Sequence, residues 1–440
     1  MLEDVRAVAL PTHREPPVVC PGERVVADLW LASHGIRPPY AVLGDDVAGE
    51  PPAAGRVRVP AGDDEIAHAL EAGALTVADA ESTPVARLTE LSAGDGWIEG
   101  WVGQSTGDLS VQGQVGSRGV QVPARSAAGR VVIVAQRPLT SADLREADGE
   151  DVVLVLPVAG TTPDGVPAAT LRECLELAAP ESFARVAVPV SWRGNESDAA
   201  LAAAVAVGLD ATRLLHLADD KVWSEALRRV QDATDTPAVV EDPVLNSVVP
   251  ILSRWRPPRR ERGLVVFFTG LSGSGKSTLA KALSEQLTSQ AGRSVTLLDG
   301  DVVRRMLSSG LGFDRAGRDL NVRRIGFVAA EVARHGGVAV CAPIAPGADS
   351  RAAVRAMVEA VGDLVLVHVA TPLAECERRD TKGLYRKARA GLVTQFTGIS
   401  DPYDEPFDAE IRLDTSEVSP EVSLREITDY LAAGGWIAGG

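Results

Sequence analysis

The chain has 440 residues, a net charge of −16 at pH 7, 45% hydrophobic residues and 4% aromatic residues. That length accommodates two or three domains with ordinary cores. The acidic balance excludes a broad basic surface for a nucleic-acid backbone, though not a local arginine cluster for a small anion. Cys20, Cys174, Cys341 and Cys376 form no CxxC pair and the six histidines fall at no metal-ligand spacing, so neither a disulfide framework nor a zinc site is expected.

The start, MLEDVRAVALPTHREPP, is acidic and lacks the apolar stretch of a secretory signal. The longest apolar run, AALAAAVAVGL from Ala199, is too short to span a bilayer, and a soluble, cytoplasmic protein is expected. Residues 1–120 combine Pro, Gly, Asp and Val with short alternating runs such as GRVRVP, which predicts small β-structure with turns. Over residues 121–252 strand-like runs (RVVIVAQ, DVVLVLPVAG, ARVAVPVS) alternate with helix-like ones (TSADLREADG, PAATLRECLELAA). Such alternation predicts a parallel sheet covered by helices.

Residues 253–263, SRWRPPRRERG, are rich in Pro and Arg and are expected to be a linker with solvated arginines. Residues 264–440 then carry LVVFFT, SVTLLDGD, GVAVCAPIAP and DLVLVHVATP, four strand-like runs that each end in a polar loop. Helical stretches separate them, as with Leu279, Leu283 and Leu287 at i, i+4 spacing. A second α/β domain is expected there.

Within that domain GLSGSGKS satisfies G-x-x-x-x-G-K-[ST], with Gly270, Gly275, Lys276 and Ser277 at the fixed places. An apolar strand precedes it and a helix follows, the context a phosphate-binding loop requires. Glycines let successive N–H groups converge on a phosphate, and the helix N-terminus adds partial positive charge. Ser272, Gly273, Ser274 and Thr278 complete the expected ATP contacts, with Lys276 bridging β- and γ-oxygens and the Ser277 hydroxyl available to Mg²⁺.

The next strand ends in LLDGDVVRRM, so Asp299 and Asp301 fall at a carboxyl strand end, where open sheets bind ligands. A carboxylate there can accept a proton from an attacking hydroxyl or hold Mg²⁺ through water. Arg304 follows three residues after Asp301, and Arg315, Arg318, Arg323 and Arg324 surround Asn321 and Phe313. Guanidinium forks suit a bound anion, so an anionic acceptor is expected. Lys382, Arg386, Lys387 and Arg389 occupy a Gly-bounded segment able to close over a triphosphate.

GLSGSGKST, DGDVVR, LGF…R..N.RR, APIAP, TPLAECERRDTKGLYRKARAG and FTGISDPYD occur in that order over residues 260–430, and together they resemble the adenylylsulfate (APS) kinase family. The resemblance implies a P-loop NTPase-type parallel-sheet domain that transfers the γ-phosphoryl group of MgATP to the 3'-hydroxyl of APS. Asp301 would be the base and metal-organising carboxylate, and Lys276 the second catalytic group. Arg304, Arg318 and Asn321 would hold APS, Phe313 and Phe396 would sandwich its adenine, and Ile344, Ala345 and Lys382 would line the same pocket. Arg386, Lys387 and Arg389 would meet ATP, and the chain would be a homo-oligomer, a dimer or higher. Two positions depart from the family: Ala345 stands where many members carry a serine, and Thr394–Gln395 replaces a basic-Gly pair before Phe396.

Residues 60–250 resemble a divergent ATP sulfurylase, implying a small β-rich PUA-like domain followed by an α/β nucleotidyltransferase-like domain. The segments that carry the likeness are GALTVADAESTPVARLTEL, PVAGTTPDGVPAATLRECLELAAPE and RVAVPVSWRGNESDAALAAAVAVGLDATRLLHLADD. That family's QxRNPxHxxH motif appears as VAQRPLTSAD, with Thr140 and Asp143 in place of the two histidines, and its GRDHAG loop appears as LADDKV. An acid beside a triphosphate repels it, so the resemblance implies a region that no longer adenylates sulfate.

Overall fold

The computed structural model describes residues 18–19, 23–33, 42–43, 56–78, 84–94, 97–102, 127–158, 160–194, 197–215, 217, 221–290 and 293–438. It divides into two compact units, residues 1–227 with 239–255 and residues 228–238 with 256–440.

The first unit opens with short strands: β1 (Val18–Val19), β2 (Val42–Leu43), β3 (Arg56–Pro60), β4 (Ala74–Ala78), β5 (Pro84–Gly94) and β6 (Trp97–Val102). They form one sheet in the order β1-β4-β5-β6-β3-β2, antiparallel at its centre. Helices α1 (Glu23–Ser33) and α2 (Asp63–Ala72) accompany it. Asp63, Asp64 and Glu65 complement the N-terminal dipole of α2, which ends on Gly73 in the left-handed conformation. Val25, Leu29, Val57, Val59, Leu75, Val77, Leu88 and Ile98 make its core.

The same unit continues with β7 (Val131–Val134), α3 (Ser141–Glu146), β8 (Val152–Pro157), α4 (Ala168–Ala178), β9 (Ala184–Val188), α5 (Ser197–Gly208) and β10 (Arg213–Leu215). Its four strands are parallel, in the order β10-β7-β8-β9. VVIV and VVLVLP are buried along their whole length because helices cover both faces of a parallel sheet. The boundary between units falls within α6 (Lys221–Asp232), and α7 (Pro243–Trp255) returns to the first unit.

The second unit contains β11 (Leu264–Thr269), α8 (Lys276–Gln290), β12 (Val295–Asp299), α9 (Gly300–Met306), α10 (Arg315–Arg334) and β13 (Val338–Ala342). It is completed by α11 (Ala348–Glu359), β14 (Asp363–Val369), α12 (Leu373–Arg379), α13 (Leu384–Arg389), β15 (Ile411–Leu413) and α14 (Pro420–Ala433). The five parallel strands run in the order β12-β13-β11-β14-β15. Leu264, Val266 and Phe268 of β11 pack with α8 and α14, while Val265 and Phe267 pack against α10 and α11. Burial of a phenylalanine on each face contributes on the order of 1.5–3 kcal/mol apiece. Chain connections leave to opposite sides of β11, so the crevice at its carboxyl end is the topological switch point.

Residues 253–263 differ from the solvated linker expected. Ser253–Trp255 finish α7. Arg256 and Arg262 both bind Asp363, at 2.9 and 3.1 Å, Arg260 binds Asp235 at 2.6 Å, and Arg259 binds Asp232 at 3.2 Å. The Asp363 carboxylate also accepts from Trp436 Nε1 at 2.8 Å. The largely covered Asp363 carboxylate needs donors, and Arg256, Arg262 and Trp436 supply them, whereas Asp232 and Asp235 are exposed partners.

Candidate active site

The loop after β11 is shaped by contacts a side chain would forbid. Gly270 has φ +147°, and a Cβ there would lie 2.4 Å from the Val369 carbonyl oxygen. Ser274 is fully buried; its carbonyl accepts from Thr371 Oγ1 at 3.1 Å and Thr415 Oγ1 at 2.9 Å. Gly270 and Ser274 therefore brace the loop from behind. Ser272, Gly273, Gly275, Lys276, Ser277 and Thr278 line the cavity in front, which has a volume of about 650 Å³.

Lys276 is buried, and its Nζ donates to the loop's own Leu271 carbonyl at 2.7 Å and to Ser274 Oγ at 3.3 Å. Loss of hydration pushes its pKa down to about 8; Lys382 adds to this, while Asp299 opposes it. A desolvated ammonium at the head of α8 is poised for an anion.

The facing wall carries the residues expected for an acceptor. Arg304 of α9 lies over the exposed ring of Phe313, with 4.5 Å between guanidinium carbon and ring centre. On α10, Arg318 pairs with Asp401 and donates to Thr397 Oγ1 at 3.3 Å. One turn on, Asn321 is buried, and among the described residues its Oδ1 has no hydrogen-bond partner. An orphaned buried acceptor costs free energy unless a ligand satisfies it. Ile344, Ala345, Lys382 and Phe396 line the same cavity. Ala345 holds φ 46°, and its carbonyl accepts from Thr269 Oγ1 and Arg351 Nη1 at 3.2 and 2.8 Å. Asp301 lies on α9 beside the cavity-lining Gly300, but its side chain is outside the described residues.

Several expected residues are not brought together. Arg386, Lys387 and Arg389 do not line the cavity, because Tyr385 and Ala388 form the buried side of α13 and leave the cations exposed. Arg389 is paired with Glu377. Of the α10 arginines only Arg318 faces inward; Arg315, Arg323 and Arg324 are exposed, and Arg324 donates to the Leu307 carbonyl at 2.8 Å. The motif reading also passed over Arg379, Asp380, Tyr385 and Thr397, all on the cavity wall. The signal for Tyr385 was its place three residues before Ala388 in an otherwise charged helix.

In the first unit, VAQRPLTSAD leads from β7 into α3. Arg137 and Asp143 are both buried, with Nη1–Oδ2 at 2.7 Å and Nη2–Oδ1 at 3.2 Å. Thr140 donates to the same carboxylate from its backbone N–H at 2.7 Å and its hydroxyl at 2.8 Å, while capping α3. Four donors saturate Asp143. Much of LADDKV lies outside the described residues. Among the described residues no group of three His, Cys, Asp or Glu converges on a metal position, and no helix is long and apolar enough to cross a membrane.

The sequence model of the adenylylsulphate kinase family matches residues 262–414. Sulfate adenylyltransferases of Phaeosphaeria nodorum and Aspergillus oryzae are similar at 44% identity over 212 residues and 47% over 189. These alignments cover 48% and 43% of this chain and 36% and 33% of the relatives, so the chain spans about a third of the length of the curated relatives it matches. A solved hexameric APS kinase from Thiobacillus denitrificans shares the fold over 96% of this chain and 94% of its own, with a TM-score of 0.63 and 24% identity. A Mycobacterium tuberculosis APS kinase solved with AMPPNP and APS is 44% identical, covering 39% of this chain and 98% of that one, with a TM-score of 0.37.

Proposed function

We propose that the chain, whose residues 262–414 match the adenylylsulphate kinase family model, transfers the γ-phosphoryl group of ATP to the 3'-hydroxyl of APS, yielding 3'-phosphoadenylylsulfate (PAPS). The observation that carries this reading is a single cavity lined both by Lys276 and Ser277 and by Arg318, Asn321, Phe313 and Phe396. A phosphate donor and an anionic aromatic acceptor can thus share one enclosure.

Lys276 leaves the Leu271 carbonyl for the donor's β- and γ-oxygens, where its charge stabilises the transferring phosphoryl group. Arg318 and Arg304 hold the anionic part of APS, Asn321 Oδ1 accepts from a donor elsewhere on APS (a ribose hydroxyl or the adenine amine), and the two phenylalanines stack on the adenine. The 3'-oxygen attacks phosphorus in line as the bond to the β,γ-bridging oxygen breaks; ADP keeps that electron pair and Asp301 takes the hydroxyl proton. Ala345 has no hydroxyl, so no phosphoenzyme can form at that position and direct in-line transfer is the economical mechanism. Ser277 and Asp301 would hold a magnesium ion carried chiefly by phosphate oxygens and water. When bound, Mg²⁺ neutralises charge on the β- and γ-phosphates.

The Arg137–Asp143–Thr140 cluster supports a first unit without sulfate adenylation, since Asp143 engages the Arg137 guanidinium that would otherwise attract a triphosphate. A homo-oligomer, as in the hexameric relative, accompanies this reading.

The test is one preparation of the full chain under two conditions. With Mg²⁺, ATP and APS it should form PAPS; with Mg²⁺, ATP and sulfate it should release no pyrophosphate. Absence of PAPS removes the kinase reading, and robust pyrophosphate release identifies a bifunctional enzyme instead.

A further inference from the structure

Tyr385 is a side chain that the reaction, as written, does not use. It is 3% exposed, yet it lies on the wall of the cavity. Its phenol donates to the Ser272 carbonyl of the phosphate loop at 2.8 Å. Its ring meets Phe396 edge-on, with centres 4.9 Å apart and planes at 78°. Burial raises the phenol's pKa, so the group stays a donor.

Phe396 in turn is held by its own loop. Its N–H donates to Ser400 Oγ at 2.8 Å and its carbonyl accepts from the Asp401 N–H at 3.1 Å. The Asp401 carboxylate engages Arg318. A continuous series of contacts thus runs from the donor's phosphate loop, through Tyr385 and Phe396, to the arginine facing the acceptor.

We infer that Tyr385 is a positioning residue that couples the two nucleotide subsites, so that a filled phosphate loop presets the Phe396 ring for the acceptor. The inference rests on the kinase reading above. Phosphates seated on the loop fix the Ser272 carbonyl, and with it the phenol and the ring. Ordering that the acceptor would otherwise have to impose is then already complete, which tightens its binding.

The experiment is calorimetric titration of the full chain with APS, with and without saturating Mg-AMPPNP. In the wild type, AMPPNP should lower the APS Kd by roughly 5- to 150-fold, the usual range for coupled sites. Tyr385→Phe keeps the ring and removes only the hydroxyl; its APS Kd without AMPPNP should stay within about threefold of wild type while the ratio collapses toward about 1. Phe396→Leu cuts the series at its other end and should lower the same ratio, with weaker APS binding overall. An undiminished ratio in Tyr385→Phe overturns the inference, as does a wild-type APS Kd indifferent to AMPPNP; both leave the kinase reading standing. A wild type that binds no APS under either condition overturns both.

Discussion

Lys276 shows how burial and function pull against each other in one side chain. Its folded pKa of about 8 lies below the ordinary 10.5, so between those values the unfolded chain holds a proton that the folded chain lacks. Stability of the ligand-free chain should therefore rise with pH through that window and be reduced below it, where the buried amine is charged. A bound triphosphate reverses the balance by favouring the ammonium. At pH 9, ATP binding should take up a proton, seen as different titration heats in two buffers of unlike ionisation enthalpy; identical heats would contradict the assignment. Lys276→Met should lower kcat by about 10²- to 10³-fold without lowering the melting temperature of the empty chain, since it removes a desolvated charge. The residue and its loop were legible because the motif is contiguous. Charge and spacing alone did not separate Arg318 from Arg315, Arg323 and Arg324; the family resemblance singled it out, and the rotation of α10 on the sheet is what turns its guanidinium to the cavity.

Among the elements, the β11-to-α8 turn is the most constrained. Gly270→Ala would push a methyl carbon to within 2.4 Å of the Val369 carbonyl at a backbone angle that L-residues avoid. The expected outcome is a loss of more than about 1 kcal/mol in denaturant unfolding of the second unit, together with weakened ATP binding; wild-type stability would mean the turn is looser than described. The α13 segment teaches a complementary lesson. Its basic residues attracted attention as charges, but the helical period gives the cavity side to Tyr385 and leaves Arg386, Lys387 and Arg389 in solvent. Composition marks such a segment; helical phase assigns its faces.

At the scale of the whole molecule, the first unit carries a saturated polar cluster where the related motif has histidines. If Arg137 serves the fold, Arg137→Met should lower that unit's stability by about 3–5 kcal/mol, the cost of stranding a buried carboxylate, while kcat of the proposed phosphoryl transfer stays unchanged. A fall in kcat with no change in unfolding would reverse the interpretation. The amino-acid sequence by itself determined the strand-and-helix alternation, the parallel character of the last two sheets, and the phosphate loop. All of these are written in contiguous runs whose period and glycine spacing follow from local sterics and hydrophobic burial. Only the tertiary structure decided that Arg256 and Arg262 of the expected linker meet Asp363, that Thr371 and Thr415 brace Ser274, and that Tyr385 joins Ser272 to Phe396. These contacts link positions far apart in the chain. The packing of the second unit brings them together, and no local period encodes such meetings.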